Sequence, residues 1–152
     1  MREGADEQAQ RKANMATLAR APGERLKALW SDARLETEHQ VVRGPETGLV
    51  TVRGRIGGGG SPFNVGEVTV TRATVKLAGG AVGHSYALGR DKEKSRIAAL
   101  FDALWQDESL QPRLAAEVIK PLARELEAAD TQTKEQTAAT RVDFFTMVRG
   151  ED

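Results

Sequence analysis

The chain has 152 residues, of which 39% are hydrophobic and 29% charged, and its formal net charge is zero. This composition is typical of a single globular domain that buries its own core. Cysteine is absent, which excludes disulfides, catalytic thiols and an iron–sulfur cluster held by this chain's own thiolates.

The charges are unevenly distributed along the chain. Residues 44–96 carry eight Lys or Arg against four Asp or Glu, whereas residues 97–152 carry six against eleven. A solvated surface is the more frequent cause of such an imbalance, and an anion-facing sheet is the alternative. Duplex nucleic acid would normally require a more basic domain, so we do not expect it as a partner.

Targeting segments and metal motifs are not evident in the sequence. No stretch approaches the roughly 20 apolar residues needed to cross a bilayer. The first twenty residues lack the apolar core of a signal peptide, so we expect a cytoplasmic protein without membrane contacts. The two histidines, His39 and His84, match no zinc-binding spacing, and we predict no metal site.

The N-terminal third is typical of helices. We expect residues 1–12 to form a flexible extension and residues 13–152 to form one domain. Apolar residues recur at helical spacing between Met15 and Trp30. The segment Ala21–Arg25 contains a proline, which is best tolerated in the first turn of a helix. We therefore predict two short helices separated by this segment.

Residues 40–89 predict an antiparallel sheet. Twelve of the fifteen glycines fall between Gly44 and Gly89, among runs rich in valine and threonine. The predicted strands are HQVVR, LVTVRGRI, FNVGEVTVTRATVKL and VGHSYALG, separated by GPETG, GGGGSP and AGGA. In the third strand the apolar residues change from even to odd positions, which predicts a β-bulge near Thr71 and Arg72.

Helices are predicted again after Gly89. Asp91 is a plausible N-cap for a helix whose apolar stripe runs from Ile97 to Trp105. A further helix is predicted from Pro112, broken or restarted at Pro121. The resulting fold class is α+β, with a mainly antiparallel sheet of about four to five strands, helices before and after it, and a C-terminal apolar strand.

The C-terminal segment RVDFFTMVR predicts a strand that is apolar on both faces. Ordering about nine residues costs roughly 1–2 kcal/mol each in backbone entropy, whereas each buried Phe side chain contributes only about 1.5–3 kcal/mol. Ladder hydrogen bonds and cover on both faces are therefore needed. The strand either completes this protein's own sheet or forms a surface shared with a partner subunit. Its predicted anchors are Val142, Phe144, Phe145, Met147 and Val148.

A small set of basic residues lies on the predicted sheet and in its adjoining turn. A guanidinium can bind a phosphate or phosphonate through two hydrogen bonds. The candidate substrate- or anion-binding residues are Arg53, Arg55, Arg72, Arg90 and His84.

Other features give weaker indications of chemistry. The glycine-rich loop GRIGGGGSPF lacks the Gly-Lys-Ser/Thr ending of a phosphate-binding P-loop, and a mobile hairpin loop is the simpler interpretation. The helix N-terminus after Gly89 could bind an anion, but Asp91 could equally satisfy its donors. His84 and Ser85 are adjacent in a strand and therefore point to opposite faces. We predict no catalytic residue on this chain.

Several stretches resemble the PhnG subunit family of the bacterial carbon–phosphorus lyase system. They are ETGLV, GEVTVTRATVKL, GHSYALGRDK and, most specifically, RVDFFTMVRG at the C-terminus. The resemblance covers the chain from about Met15 onward.

The resemblance implies an accessory role in phosphonate catabolism. Members of this family act with PhnI, their direct partner, with PhnH and PhnJ in a core complex, and functionally with PhnL. The complex displaces adenine from MgATP with an alkylphosphonate and forms a ribose 1-phosphonate 5-triphosphate. S-adenosylmethionine and an iron–sulfur cluster act on another subunit, so we expect no cofactor on this chain.

Other functions remain open at this point. The chain could instead be a stand-alone nucleotide- or anion-binding or hydrolytic enzyme, as the glycine-rich loop and the sequence proximity of His84 to Asp91 would allow. It could also be a pure scaffold that keeps its partner soluble.

Overall fold

A computed structural model describes residues 2–35, 37–55 and 59–140. Two helices come first, then three strands, then further helices. Their bounds are α1 Arg2–Arg20, α2 Gly23–Ala33, β1 His39–Gly54, β2 Phe63–Leu77, β3 Val82–Leu88, α3 Lys92–Leu104, α4 Gln111–Leu114, a π-helical turn Ala115–Ile119 and α5 Lys120–Ala139. The predicted C-terminal strand, with its five anchor residues, lies outside the described residues.

The two predicted N-terminal helices are confirmed. α1 ends at Arg20, and Pro22 stands directly before the first residue of α2, where its missing N–H has no cost. The helices bury Leu18, Leu26 and Leu29 in the main core cluster. Residues 2–12, which we expected to form a flexible extension, are helical in α1.

The described sheet has three strands in the order β1-β2-β3, and both pairs are antiparallel. The α+β class is confirmed, but the prediction of four to five strands was wrong for the described residues. GPETG, predicted as a turn, lies inside β1, where the chain passes from Arg43 to Glu46 through a register irregularity. A bulge absorbs the turn-forming residues without reversing the strand.

The predicted bulge near Thr71 and Arg72 was also wrong. β2 itself has no extra residue at Thr71 or Arg72 and pairs there without interruption with β3, whereas its register with β1 shifts next to Arg72, where the extra residue lies on β1 opposite Ala73. The extra residues lie elsewhere, at Val42 and Gly44–Pro45 of β1 and at Val65 of β2. The apolar residues change parity because Val68 and Val70 lie on one face of the sheet, whereas Ala73 and Val75 lie on the opposite face, against α3.

Helix α3 covers one face of the sheet, which we call the inner face. Ala73 and Val75 of β2 pack there against Ala99, Leu100 and Ala103 in a buried cluster. A Cβ atom at Gly83 of β3 would collide with the carbonyl oxygen of Ala99 and the amide nitrogen of Ala103. The missing side chain therefore lets α3 approach the sheet closely.

The C-terminal helices form one continuous run. Pro121 was predicted to break or restart the helix, but the helix passes through it and α5 continues to Ala139. The π-helical turn Ala115–Ile119 directly precedes Pro121, and the amide of Lys120 bonds to the carbonyl of Ala115. The wider turn leaves room for the proline ring, which would clash with the preceding turn of an ordinary α-helix.

Two arginine pairs attach α5 to the N-terminal helices. Arg25 bonds to Glu125 at 2.8 Å, and Arg20 bonds to Asp130 at 2.8 Å. Among the described residues, no helix has both the length and the apolarity required to cross a membrane.

Candidate anion-facing site on the sheet

The sheet face opposite α3, which we call the outer face, carries the candidate site. Strand pairing places Arg72 between Glu46 of β1 and Tyr86 of β3, and Thr74 beside His84. In the described part of the chain, α3 packs against the inner face together with Trp30 of α2, and α1 lies along β3. Tyr86 is accordingly 52% exposed.

Arg72 is held in place by a carboxylate from the neighbouring strand. Its Nε donates to Oε1 of Glu46 at 2.6 Å, and Nε of Arg43 lies 3.0 Å from the same oxygen. These two guanidinium groups and one carboxylate leave a net positive charge on the outer face. The bond to Glu46 uses one of the five N–H donors of Arg72, so the other donors can form hydrogen bonds to a ligand.

His84 lies on the same face, two residues along β3 from Tyr86. Its Nδ1 is 3.2 Å from the hydroxyl of Thr74. The neighbouring Ser85 points inward, where its hydroxyl lies 3.1 Å from that of Ser95. The predicted opposite orientation of His84 and Ser85 is confirmed, and this geometry separates the hydroxyl from the imidazole.

A shallow recess of about 200 Å³ adjoins Arg72 on the outer face. Val50 and Val70 contribute apolar lining, and Arg72, Tyr86 and the Glu46 carboxylate that pairs with Arg72 contribute polar lining. A guanidinium and a phenol beside an apolar wall can bind a small anion that carries an alkyl group, because the charged and apolar parts each find a matching surface.

The remaining candidate arginines do not join Arg72. Arg53 pairs with Asn64 near the far end of the β1–β2 hairpin, roughly 25 Å along β2 from Arg72 at the strand rise per residue. Arg55 is exposed just after β1, and Arg90 is exposed in the turn between β3 and α3. The structure therefore brings together Arg72 and His84 but not all five predicted residues.

The N-terminus of α3 is already occupied by a side chain of this protein. Oδ1 of Asp91 accepts from the amide of Lys94 at 2.8 Å, which confirms the predicted N-cap. Nζ of Lys27 lies 3.6 Å from the other oxygen of Asp91. Burial lowers the pKa of Lys94, and the charge of Asp91 opposes this effect. The capping interpretation of this helix end is therefore correct.

A second polar cluster lies where α1 and α3 meet the edge of β3. Asp102, whose side chain is 1% exposed, accepts two hydrogen bonds from Arg11, and its Oδ2 also accepts the amide of His84 at 2.8 Å. Arg11 and Gln106 both donate to the carbonyl of Val82. The cluster thus supplies partners for the amide of His84 and the carbonyl of Val82 at the edge of β3. We therefore assign it a structural role.

Sequence reasoning missed two members of the outer-face site. Tyr86 shares the parity of His84 in β3, which was a sufficient signal to place both on one face. Glu46 had no such signal, because it was assigned to a turn. The described residues contain no group of three or more His, Cys, Asp or Glu side chains arranged to hold a metal ion.

Comparison with known proteins identifies the family. The model of the family described as "Phosphonate metabolism protein PhnG" matches residues 9–150. The alpha-D-ribose 1-methylphosphonate 5-triphosphate synthase subunit PhnG of Rhizobium meliloti (strain 1021) is 55% identical over 145 residues, which cover 95% of this chain and 92% of that protein. Both matches include all three strands and the residues of the outer face. The chain belongs to the PhnG family of phosphonate metabolism proteins.

Proposed function

We propose that this chain is the PhnG subunit of an alpha-D-ribose 1-methylphosphonate 5-triphosphate synthase and serves phosphonate catabolism as an accessory component. The observation that carries the proposal is the 55% identity with the synthase subunit of Rhizobium meliloti, which extends over nearly the whole length of both chains. Such extensive similarity favours the same role in the same kind of assembly.

The proposed reaction transfers the ribose 5-triphosphate part of MgATP to an alkylphosphonate and releases adenine. We propose PhnI as the direct partner, PhnH and PhnJ as further members of the core complex, and PhnL as a functional partner. The reacting groups are then positioned mainly by a partner chain, and S-adenosylmethionine and an iron–sulfur cluster serve a later step on another subunit.

The geometry of this chain is consistent with an accessory role. The hydroxyl of Ser85 is directed into the core while the imidazole of His84 lies outside, so these neighbours do not form a nucleophile and its base. Asp91, which could have oriented His84, instead caps α3.

Arg72 is the residue that we propose faces the anionic substrate. It is exposed on the outer face, oriented by Glu46, and accompanied by His84 and Tyr86. Both substrates of the proposed reaction carry phosphate or phosphonate oxygens, which guanidinium donors bind strongly. Arg53, Arg55 and Arg90 lie on other parts of the surface and are tested separately.

The experiment combines co-purification with an assay of adenine release. Tagged chain is co-expressed with PhnH, PhnI and PhnJ from the same genome, and PhnL is added to the purified complex with MgATP and methylphosphonate. We expect the partners to co-purify and adenine to be released only when they are present. Adenine release or ATP hydrolysis by the isolated chain would instead favour the stand-alone enzyme.

A scaffold without any part in the chemistry is the other alternative. It predicts that the complex, once assembled, is insensitive to every substitution on the outer face. The kinetic comparison of outer-face variants described in the Discussion separates these two possibilities.

A further inference from the structure

Asn14 of α1 is a buried polar residue whose amide has one group in need of a partner. The residue is only 3% exposed. Its Oδ1 accepts from Nε2 of Gln10 at 2.9 Å, so Nδ2, on the other branch of the amide, needs an acceptor of its own. In the part of the chain that the structure describes, no atom accepts a hydrogen bond from Nδ2. Folded proteins rarely leave a buried amide unpaired, because its desolvation is then uncompensated.

A small cavity lies directly beside this amide. It is situated between α1, α3 and the C-terminal helical run, and its volume is about 10 Å³. Asn14 and Asp102 are its polar lining residues, and the remaining lining is apolar. A cavity needs roughly 10–15 Å³ to hold one water molecule. The space therefore fits a single water and no larger ligand.

Asp102 provides the second polar group of the cavity. Its Oδ1 accepts from Nε of Arg11 at 2.9 Å, whereas its Oδ2 accepts from Arg11 and from the amide of His84. Each oxygen of a carboxylate can accept about two hydrogen bonds. Among the described residues Oδ1 has one donor, so it can accept from a further donor in the cavity.

The chemistry of these two groups excludes simple ions as the ligand. The ligand must accept from the N–H of Asn14 and must also be attractive to the carboxylate of Asp102. An anion would meet the first requirement but would be repelled by the carboxylate, and a cation would not accept from the amide. A water molecule accepts from Nδ2 through its oxygen and donates to Oδ1 through a hydrogen. Two such bonds are the minimum for an ordered buried water.

The other walls of the cavity hold the ligand only by packing. Val118 and Ile119 of the π-helical turn and Leu114 before it face the cavity with apolar side chains. Trp105 lines this cavity and also a surface recess of about 500 Å³. A water can therefore exchange with solvent past the indole ring while its hydrogen bonds come from α1 and α3.

We infer that one water molecule occupies this cavity and bridges Nδ2 of Asn14 to Oδ1 of Asp102. The bridge links α1 to α3 beside the direct pair of Arg11 with Asp102. It gives the amide of Asn14 its acceptor without any movement of the apolar side chains. The inference does not depend on the proposed function.

The first test observes the water in the natural full-length protein by nuclear magnetic resonance. Water-selective nuclear Overhauser spectra are recorded on isotope-labelled protein. We expect cross-peaks between water and the side-chain amide protons of Asn14, with the sign that marks a long-lived bound water. The exposed amide of Gln10 is the control in the same spectrum, and it should show only the weak signal of rapidly exchanging surface water.

The second test fills the cavity without touching Asn14. Val118→Ile adds one methylene group at the cavity wall and should displace the water. Magnetic relaxation dispersion of water oxygen counts the long-lived waters, and we expect the count to fall by one. Val75→Ile is the matched control, because it makes the same change in the other core cluster and should leave the count unchanged. Circular dichroism verifies that both variants are folded.

Asn14→Leu removes the donor while keeping a side chain of similar shape. We expect this variant also to lose one long-lived water, because the apolar cavity that remains offers only Asp102 as a polar partner. An unchanged count in both Val118→Ile and Asn14→Leu would overturn the inference.

The spectrum of the natural protein decides the question even if a variant does not fold. Absence of the water cross-peaks at Asn14 would overturn the inference. Amide protons of Asn14 shifted strongly upfield, together with that absence, would show that Nδ2 points at the ring of Phe101 or Trp105 instead.

Discussion

Asp102 is the most completely buried carboxylate among the described residues, and both of its oxygens have hydrogen-bond donors. Its two oxygens accept from Arg11 and from the amide of His84, so each has a charged or backbone donor. The ion pair thereby joins α1, α3 and the edge of β3. Because side chains bond to the backbone at this edge of β3, another strand cannot readily pair there.

We expect Asp102→Ala to lower the free energy of unfolding by about 2–3 kcal/mol. Removing one partner leaves the Arg11 charge and the His84 amide without their acceptor, and the 34% exposure of Arg11 keeps the cost at the lower end for buried pairs. Urea denaturation measures the change. The control is Asp130→Ala, whose exposed pair with Arg20 should contribute less than about 1 kcal/mol. Equal losses in both variants would contradict the structural role of Asp102.

Glu93 makes the stability of the folded protein depend on pH. The hydrogen bond from Arg96 is the main cause that lowers the pKa of Glu93; desolvation opposes it, and the charge of Arg96 adds a smaller lowering effect. Because the folded-state pKa is the lower one, the stabilisation is complete above the unfolded value of about 4.3 and is lost as pH falls through the folded value.

Glu93→Gln should therefore destabilise the protein at pH 7 by no more than about 1 kcal/mol, because the pair is partly exposed. The difference from the natural protein should shrink toward zero as pH falls below the folded pKa of Glu93. Denaturation curves of both proteins across this range measure it. A difference independent of pH would contradict the ion-pair explanation.

At the scale of elements, the contact between β3 and α3 depends on a missing side chain. We expect Gly83→Ala to destabilise the protein by about 1–3 kcal/mol, because its Cβ would press on the backbone of α3 at Ala99 and Ala103. Gly66→Ala, with open space around its Cβ, should change stability by less than about 0.5 kcal/mol. Thermal unfolding compares the two variants, and a mild effect at Gly83 would mean that α3 shifts without cost.

The helices were predictable from the sequence because their signals are local. Pro22 and Asp91 stand where two of the helices begin, and the apolar stripe of α3 has helical spacing. The strands were less predictable. GPETG has the composition of a turn, but the pairing of β1 with β2 on both sides of it overrides this local preference.

Pro121 illustrates the same limit for helices. Proline usually ends a helix, but a π-helical turn immediately before it accommodates the ring. Nothing in the local sequence distinguishes a π turn from a break. Val118 and Leu122, on either side of the proline, are both buried in the core, and this long-range packing favours a continuous helix.

At the scale of the whole molecule, the candidate site was predictable only in part. Strand alternation placed His84 outward, and composition selected Arg72, but neither reveals that they share a face. That information lies in the register between β2 and β3, which depends on contacts far apart in sequence. The same register separates Arg53 from them.

We expect Arg72→Gln to lower kcat/KM for adenine release about tenfold or more in the assembled synthase. The substitution removes a charged hydrogen-bond donor that we propose binds the substrate. Arg124→Gln, an exposed arginine of α5, is the control and should leave the rate unchanged. Analytical size exclusion verifies that each complex is intact. Unchanged kinetics in Arg72→Gln and in the corresponding variants of Arg53, Arg55 and Arg90 would remove the anion-facing role and favour a scaffold.

The π-helical turn also fixes the angular phase of the C-terminal helix. An α-helix rotates by about 100° per residue, so deleting a single residue from Ala115–Ile119 would turn everything beyond it through that angle. Leu122 would then swing away from its apolar surroundings, and Glu125 and Asp130 would no longer face Arg25 and Arg20. The length of this short segment thus sets which side of α5 faces the core and the N-terminal helices.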